Sequence, residues 1–281
     1  MKDLILATGV FLYLTSLQEP RVALIIASSS LLFGTLYLLL QKTRLFHPPL
    51  TKKLEPHIEA EWRSRIIATI HAILLFIGSI YCFVEWKNFT PDAYPLHAWY
   101  VPIQDLPIAK DYIVLPLASF FVGYLQYDMI WMLLHKEKNY DAGMMVHHSL
   151  FIAITHYVLK GCYLCKPFAW LSFCELSTPF LHFRWFYAVM GKKDSKWYFF
   201  WSTLFTVTFV GVRVVGYGLG LWDLWKHYRY WEKLPLGLHV VIGGLHVGYL
   251  LNVFWGGFVL HSFVKNLKRR RNRVDNGRKQ S

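Results

Sequence analysis

Apolar residues along this chain fall into blocks of about 20, separated by short polar or charged segments. At 1.5 Å per residue, a helix of about 20 residues crosses the ~30 Å hydrocarbon layer of a bilayer. Backbone polar groups cannot stay unpaired in lipid, so spanning segments of this length must be helical. The pattern predicts an all-α polytopic membrane protein with seven spans, at residues 21–40, 66–85, 112–134, 145–159, 168–190, 197–221 and 236–263.

The segment from Leu4 to Leu17 is apolar but shorter than a membrane span. Its flanking sequence, SLQEPR, lacks the small residues of a signal-peptide cleavage site. We therefore expect this segment to lie in the membrane interface or to extend the first span.

The net charge of +13 is distributed unevenly between the two ends of the predicted spans. If the first span runs from lumen to cytosol, the cytosolic segments hold 19 of the 30 Lys and Arg residues, as the positive-inside bias requires. The sequon Asn88-Phe89-Thr90 then falls on the lumenal side. Topology explains most of this charge, with the C-terminus in the cytosol, and nucleic acid is not an expected partner. The alternative is that the basic face meets anionic lipid headgroups or the phosphates of a cytosolic ligand. The segments counted as cytosolic are 41–65, 135–143, 191–196 and 264–281.

His147 and His148 stand side by side where the fourth span begins. A full charge at the bilayer centre costs about 2.5–3.5 kcal/mol or more, so ionisable residues at membrane depth usually face the protein interior. Neighbours on a helix point about 100° apart, so one ring can face a substrate while Asp128 orients the other. Neutral imidazoles suit general acid–base catalysis or transient acylation. The pair is the strongest candidate for chemistry.

Other spans carry polar residues at similar depth, mostly in the cytosolic half. Glu175, Pro179 and His182 share one helix face because of their i, i+4, i+7 spacing. One interpretation is a polar cavity open to the cytosol. The other is a set of interhelical hydrogen bonds of roughly 0.6–2 kcal/mol each, with acids paired to arginines. The remaining residues of this set are His71, Arg184, Arg213, His246 and Asn252.

Two other classes of membrane protein fit the sequence less well. Membrane di-iron enzymes use histidine boxes such as HxxxH and HxxHH, and His147, His148 and His156 do not match that spacing. We therefore predict no metal site. A seven-span receptor is not favoured by any lumenal disulfide pair or receptor motif. Cys162 and Cys165 have CxxC spacing without a second such pair, so we expect a loop thiol pair without a catalytic role.

Six segments of the chain carry a family resemblance. They are EAEWRSRIIATIHA (59–72), VGYLQYDMIWMLLHK (122–136), VHHSLFIAITHYVLKG (146–161), ELSTPFLHFRWF (175–186), VGVRVVGY (210–217) and LNVFW (251–255). The His pair followed downstream by E-L-S-T-P-F and R-W is the specific part. Together the segments resemble the TLC-domain family, which includes the ceramide synthases. The resemblance implies six helices around a central lipid-accessible cavity, usually in the endoplasmic reticulum.

The resemblance also implies a division of the chain into three parts. Residues 1–58 would form one or two N-terminal hydrophobic segments and a cytosolic loop. Residues 59–264 would form the six-helix domain. Residues 265–281, basic and polar, are expected to be a disordered cytosolic tail.

In ceramide synthases the matching helix carries a His pair thought to transfer an acyl group from acyl-CoA to a sphingoid amine. By resemblance, these residues are His147 and His148. The acidic cluster of those enzymes is reduced here to Glu175 in the stretch CELSTP. The favoured expectation is therefore a lipid-homeostasis protein that binds lipid or fatty acyl groups in an intramembrane cavity. The alternative is an acyltransferase with acyl-CoA as substrate.

The expected site has a catalytic part and a lipid-binding part, with membrane lipids as partners and no resident cofactor. The catalytic part is His147, His148, Asp128 and Glu175, with Arg184 aiding charge balance. The expected lipid-binding or acyl-binding residues are His71, His182, Arg184, Trp185, Arg213, Asn252 and Trp255.

Overall fold

A computed structural model describes residues 2–43, 46, 54–88, 113–139, 141–161, 164–232 and 235–280. All regular secondary structure within these ranges is helical, which confirms the all-α prediction. A 3-10 segment, Cys174–Leu176, joins α7 to α8, and a π-helical segment, Phe209–Gly216, joins α9 to α10. The α-helices are α1 Lys2–Ser16, α2 Pro20–Thr43, α3 Pro56–Asn88, α4 Val114–Leu134, α5 Lys136–Asn139, α6 Ala142–Gly161, α7 Cys165–Phe173, α8 Ser177–Val189, α9 Lys196–Thr208, α10 Tyr217–Lys226, α11 Tyr228–Trp231 and α12 Leu236–Gln280.

Among the described residues, six helices are long and apolar enough to cross a membrane, which confirms a polytopic membrane protein. The outward face of α2 shows this character directly, because Leu24, Leu31 and Leu38 are exposed at seven-residue intervals. Such a row of leucines is suited to lipid and not to water. The six segments are Pro20–Thr43, Pro56–Val84, Val114–Leu134, Ala142–Gly161, Lys196–Lys226 and Leu236–Lys268.

The span predicted at 168–190 is not one continuous α-helix. It consists of α7 with 9 residues, the 3-10 segment, and α8 with 13 residues. Neither α-helix alone reaches the length of a span. The apolar pattern located this part of the chain but carried no sign of the change in helix type.

The N-terminal apolar segment forms a separate helix, α1, which ends at Ser16. Pro20 opens α2, where its missing N–H and fixed φ suit the first helical position. Residue Gln18 between the helices donates from Nε2 to the His156 carbonyl at 3.2 Å, and Phe11 is buried in the core. The segment is therefore packed on the bundle and does not extend the first span.

Helix α4 lies at the centre of the bundle and is mostly buried. It packs against α2, α3, α6 and α7. Gly123 permits a close approach to α2, because a Cβ there would lie 2.5 Å from the Ser29 Cβ and 2.6 Å from the Ile26 carbonyl oxygen. Ser30 Oγ donates to the Gly123 carbonyl at 2.8 Å across the same contact. Polar side chains on α4 are consequently enclosed by neighbouring helices.

Helix α12 extends into the basic C-terminal stretch and ends at Gln280. The expected disorder of residues 265–281 stays a prediction. Lys, Arg and Asn tolerate helical geometry, and no proline interrupts the run. Cations near a helix C-terminus also complement the helix dipole.

Candidate functional site

Three helices meet around the carboxylate of Asp128. His148 on α6 is buried, and its Nδ1 lies 3.5 Å from Asp128 Oδ2 on α4. Ser64 on α3 donates to Asp128 Oδ1 at 3.5 Å. Both contacts are at the long limit for hydrogen bonds, and His148 Nδ1 has no hydrogen-bond partner among the described residues. The imidazole and the carboxylate therefore face each other without a formed hydrogen bond.

His147 points away from this contact. Its side chain is exposed, and its ring centroid lies 4.5 Å from that of Phe151 and 5.7 Å from that of His148. The two histidines thus present one ring inside the bundle and one accessible ring.

Glu175 and Arg213 form an ion pair between the two non-α segments. Arg213 Nη2 lies 3.3 Å from Glu175 Oε1 and donates to Thr178 Oγ1 at 3.2 Å. Arg213 Nε donates to Ser177 Oγ at 2.9 Å, and Thr178 Oγ1 donates to Glu175 Oε2 at 2.7 Å. Single π turns inside α-helices are frequent at functional sites. Charge balance for Glu175 comes from Arg213, whereas the sequence analysis looked to Arg184 for that role.

His71 on α3 and His182 on α8 are both buried. The His71 ring stacks on Tyr124 of α4 with centroids 3.7 Å apart. His71 Nε2 is buried without a hydrogen-bond partner among the residues described here. His182 Nδ1 lies 2.9 Å from Thr69 Oγ1. His182 is therefore satisfied by a hydroxyl, and His71 is not.

Trp185 and Arg184 are neighbours in sequence but lie in different surroundings. The Arg65 guanidinium on α3 lies 4.5 Å from the centroid of the Trp185 ring. Arg184 instead lies over Tyr198 and lines a separate cavity between α8, α9 and α12.

Asn252 and Trp255 lie on α12, and no contact connects either with the His148–Asp128 pair in the described part of the chain. Asn252 is buried and donates from Nδ2 to the Gly248 carbonyl at 2.8 Å. Trp255 is 48% exposed on the outer surface. Their expected role in lipid binding stays a prediction.

The sequence analysis did not single out the hydroxyl residues that complete these contacts. Hydroxyls are common in membrane helices, where they bond to the preceding turn or across helices, so their type and spacing alone do not distinguish a site. The only available signal was position, because all of them fall within the segments that carry the family resemblance. They are Ser64, Thr69, Tyr124, Ser177 and Thr178.

The described residues contain no group of three or more His, Cys, Asp or Glu side chains arranged to hold a metal ion. These residues provide an accessible imidazole, a buried imidazole beside a buried carboxylate, and a partly buried Glu–Arg pair. Such a set can bind a polar headgroup or move a proton.

Comparisons with known proteins match the helical domain. The sequence model of the TLC domain matches residues 61–261. Among curated proteins, TLC domain-containing protein 4 A of Dictyostelium discoideum is 23% identical over 78% of this chain and 80% of its own length. TLC domain-containing protein 4 of Xenopus tropicalis is 27% identical over 75% of this chain and 78% of its own length. The Homo sapiens protein of that name is 31% identical over 55% of this chain and 54% of its own length.

No solved structure matches this chain. The family match extends from the start of α3 into α12 and includes all the residues of the His147–His148 region, the Asp128 contact and the Glu175–Arg213 pair. Because that match covers most of the sequence, the protein belongs to the TLC-domain family.

Proposed function

We propose that this protein acts in lipid homeostasis by binding a lipid or fatty acyl group at the polar cluster around His147, His148 and Asp128. The observation that carries the proposal is the pair of buried imidazole nitrogens, His148 Nδ1 and His71 Nε2, which lack hydrogen-bond partners among the described residues. An unpaired buried polar group costs about 1–3 kcal/mol, so a bound headgroup that supplies a partner is favoured.

The proposed location is the endoplasmic reticulum membrane, with the C-terminus in the cytosol. The distribution of Lys and Arg supports this orientation. The TLC-domain family supports the membrane, since the family resemblance implies that compartment. In this orientation His147 lies near the cytosolic end of its helix, within reach of a cytosolic substrate.

The test is lipid retention by the purified full-length protein, measured by mass spectrometry of extracted lipid. We expect wild-type protein to retain a defined lipid class and His148→Ala to retain at least fivefold less. His261→Ala, which removes an exposed imidazole on α12, is the matched control and should retain the wild-type amount. A wild-type protein that purifies free of lipid, or equal retention by all three proteins, would contradict the proposal.

A second candidate function is acyl transfer from acyl-CoA. The observation that favours it is the Asp128 carboxylate 3.5 Å from His148 Nδ1, beside the accessible ring of His147. A histidine accepts the proton of an amine or hydroxyl acceptor as that atom attacks the thioester carbonyl. The carbon–sulfur bond breaks, and the histidine returns the proton to the CoA thiolate. Asp128 would orient the His148 ring.

The same purified proteins, together with His147→Ala, test whether the protein is an acyltransferase. With radiolabelled acyl-CoA and a set of lipid amines and alcohols, we expect labelled product from wild type and the His261→Ala control. Loss of a general base lowers reaction rates by about 10²–10⁴-fold. The rate of product formation by His147→Ala or His148→Ala should therefore be lower than that of wild type by about 10²-fold or more. Turnover equal to wild type in both variants would remove the His pair from the mechanism.

A further inference from the structure

A polar cavity lies between α8, α9 and α12, and none of the residues that line it belongs to the His147–His148 region. Its volume is about 140 Å³. One charged side chain lines it, Arg184, together with four small polar side chains from the two facing helices. These are Ser202 and Thr206 of α9 and Ser262 and Asn266 of α12.

Arg184 differs from Arg213 in its partners. Arg213 pairs with Glu175, whereas no carboxylate lies within salt-bridge distance of Arg184 in the described ranges. The Arg184 guanidinium is held by aromatic rings, 5.8 Å from the Tyr198 centroid and 5.9 Å from that of Phe205. Placing a cation among apolar helices costs free energy unless an anion neutralises it. The position of the Arg184 guanidinium therefore favours binding of an anionic ligand.

The cavity lies at the basic end of the bundle. Ser202 is six residues after Lys196, where α9 begins, which corresponds to about 9 Å along the helix axis. Asn266 stands beside Lys265 in the basic stretch of α12, and Lys192 is exposed in the connection between α8 and α9. This depth and charge suit the headgroup layer of a membrane with anionic lipids.

The size and lining of the cavity limit what it can hold. Sites for drug-sized ligands measure about 300–1,000 Å³, so this cavity fits one end of a molecule only. Phe205, Phe258 and Phe263 supply apolar walls beside the polar groups. A guanidinium matches phosphate oxygens with two parallel hydrogen bonds, and hydroxyl or amide groups can donate to the remaining oxygens.

We propose that this cavity binds the headgroup phosphate of an anionic membrane phospholipid, independently of any ligand at the His147–His148 region. Arg184 supplies the charge, Ser262 and Asn266 supply donors, and the phenylalanine walls hold the adjoining glycerol and methylene groups. The lipid tails lie outside, along the exposed faces of α9 and α12.

The test uses full-length protein in neutral detergent, titrated separately with dioleoyl phosphatidic acid, dioleoyl phosphatidylcholine and inorganic phosphate, with bound molecules counted by native mass spectrometry. We expect phosphatidic acid to bind in preference to phosphatidylcholine. Arg184→Gln should weaken phosphatidic acid binding about tenfold or more, because it removes a charge-assisted contact. Lys192→Gln removes the same charge from the same end but outside the cavity, and should change binding less than twofold.

Ser262→Phe is the second variant, because it fills the cavity while leaving Arg184 in place. It should cause the same loss of phosphatidic acid as Arg184→Gln. Wild-type binding by either variant, equal affinity for both lipids, or saturable binding of inorganic phosphate without lipid would each overturn the assignment. His148→Ala should bind phosphatidic acid as wild type does. A failure of this proposal can therefore be distinguished from a failure of the proposed function at the His147–His148 region.

Discussion

At the scale of single residues, the environment of each carboxylate depends on which cation lies beside it. Glu175 forms an ion pair with Arg213, which also donates hydrogen bonds to Ser177 and Thr178. Both charged side chains are about three-quarters buried, so water screens their interaction only in part. Removing one partner of such a pair leaves the other charge poorly compensated.

We therefore expect Arg213→Gln to destabilise the protein by about 2 kcal/mol, since it removes the ion pair and two hydrogen bonds to hydroxyls. The midpoint of thermal unfolding in detergent should fall by roughly 5 °C. Arg229→Gln removes an exposed arginine and serves as the control, with no change expected. A midpoint for Arg213→Gln within 1 °C of the control, about the error of such a measurement, would show that the pair contributes nothing to stability.

At the scale of helices, α4 organises the bundle by close packing against α2. The approach is limited by backbone atoms of α2 at Ile26 and by Ser29, which leave no space for a side chain at Gly123. Asp128 lies five residues further along α4, a little over one turn. The position of the Asp128 carboxylate relative to His148 therefore depends on how closely α4 packs against α2.

Gly123→Ala should separate α2 from α4 and destabilise the protein by about 1–3 kcal/mol, because overpacking forces backbone shifts. Gly34→Ala is the matched control on α2, where an added Cβ meets nothing within 4 Å. That control should be neutral or slightly stabilising, because alanine favours a helix by up to about 1 kcal/mol over glycine. Thermal unfolding of both variants measures the difference, and equal midpoints would refute the packing argument.

At the scale of the whole molecule, the orientation in the membrane decides which solutes reach the polar groups. The start of α6 and the end of α4 lie on one side, where His147 and Asp128 are found. Basic residues near the ends of α8 and α12 lie in segments assigned to the same side. The proposed cytosolic orientation would thus place both polar sites on the side that carries most of the positive charge.

A cysteine placed at Ser281 tests this orientation in sealed microsomes. We expect a membrane-impermeant maleimide to label it without detergent, because the positive-inside bias puts this terminus in the cytosol. Labelling with the same reagent in detergent-opened microsomes gives the total and controls for reactivity. Protection until detergent is added would reverse the proposed topology.

The amino-acid sequence by itself determined the fold class and the positions of six of the seven predicted spans. Both depend on local quantities, namely the length of each apolar block against the bilayer thickness and the 3.6-residue period of a helix. The same local reasoning placed Asp128 and His148 near one end of their helices. It failed at residues 168–190, where one apolar block corresponds to α7 and α8 joined by a 3-10 segment.

Only the tertiary structure decided which side chains meet. Helix periodicity fixes the faces within one helix, but contacts between helices depend on their rotation and depth. The 3-10 and π segments change the rotation of the following residues about the helix axis, and no residue type in the sequence predicts such segments. For this reason Arg213 lies against Glu175 while Arg184 lines a separate cavity, although the sequence had suggested Arg184 for charge balance.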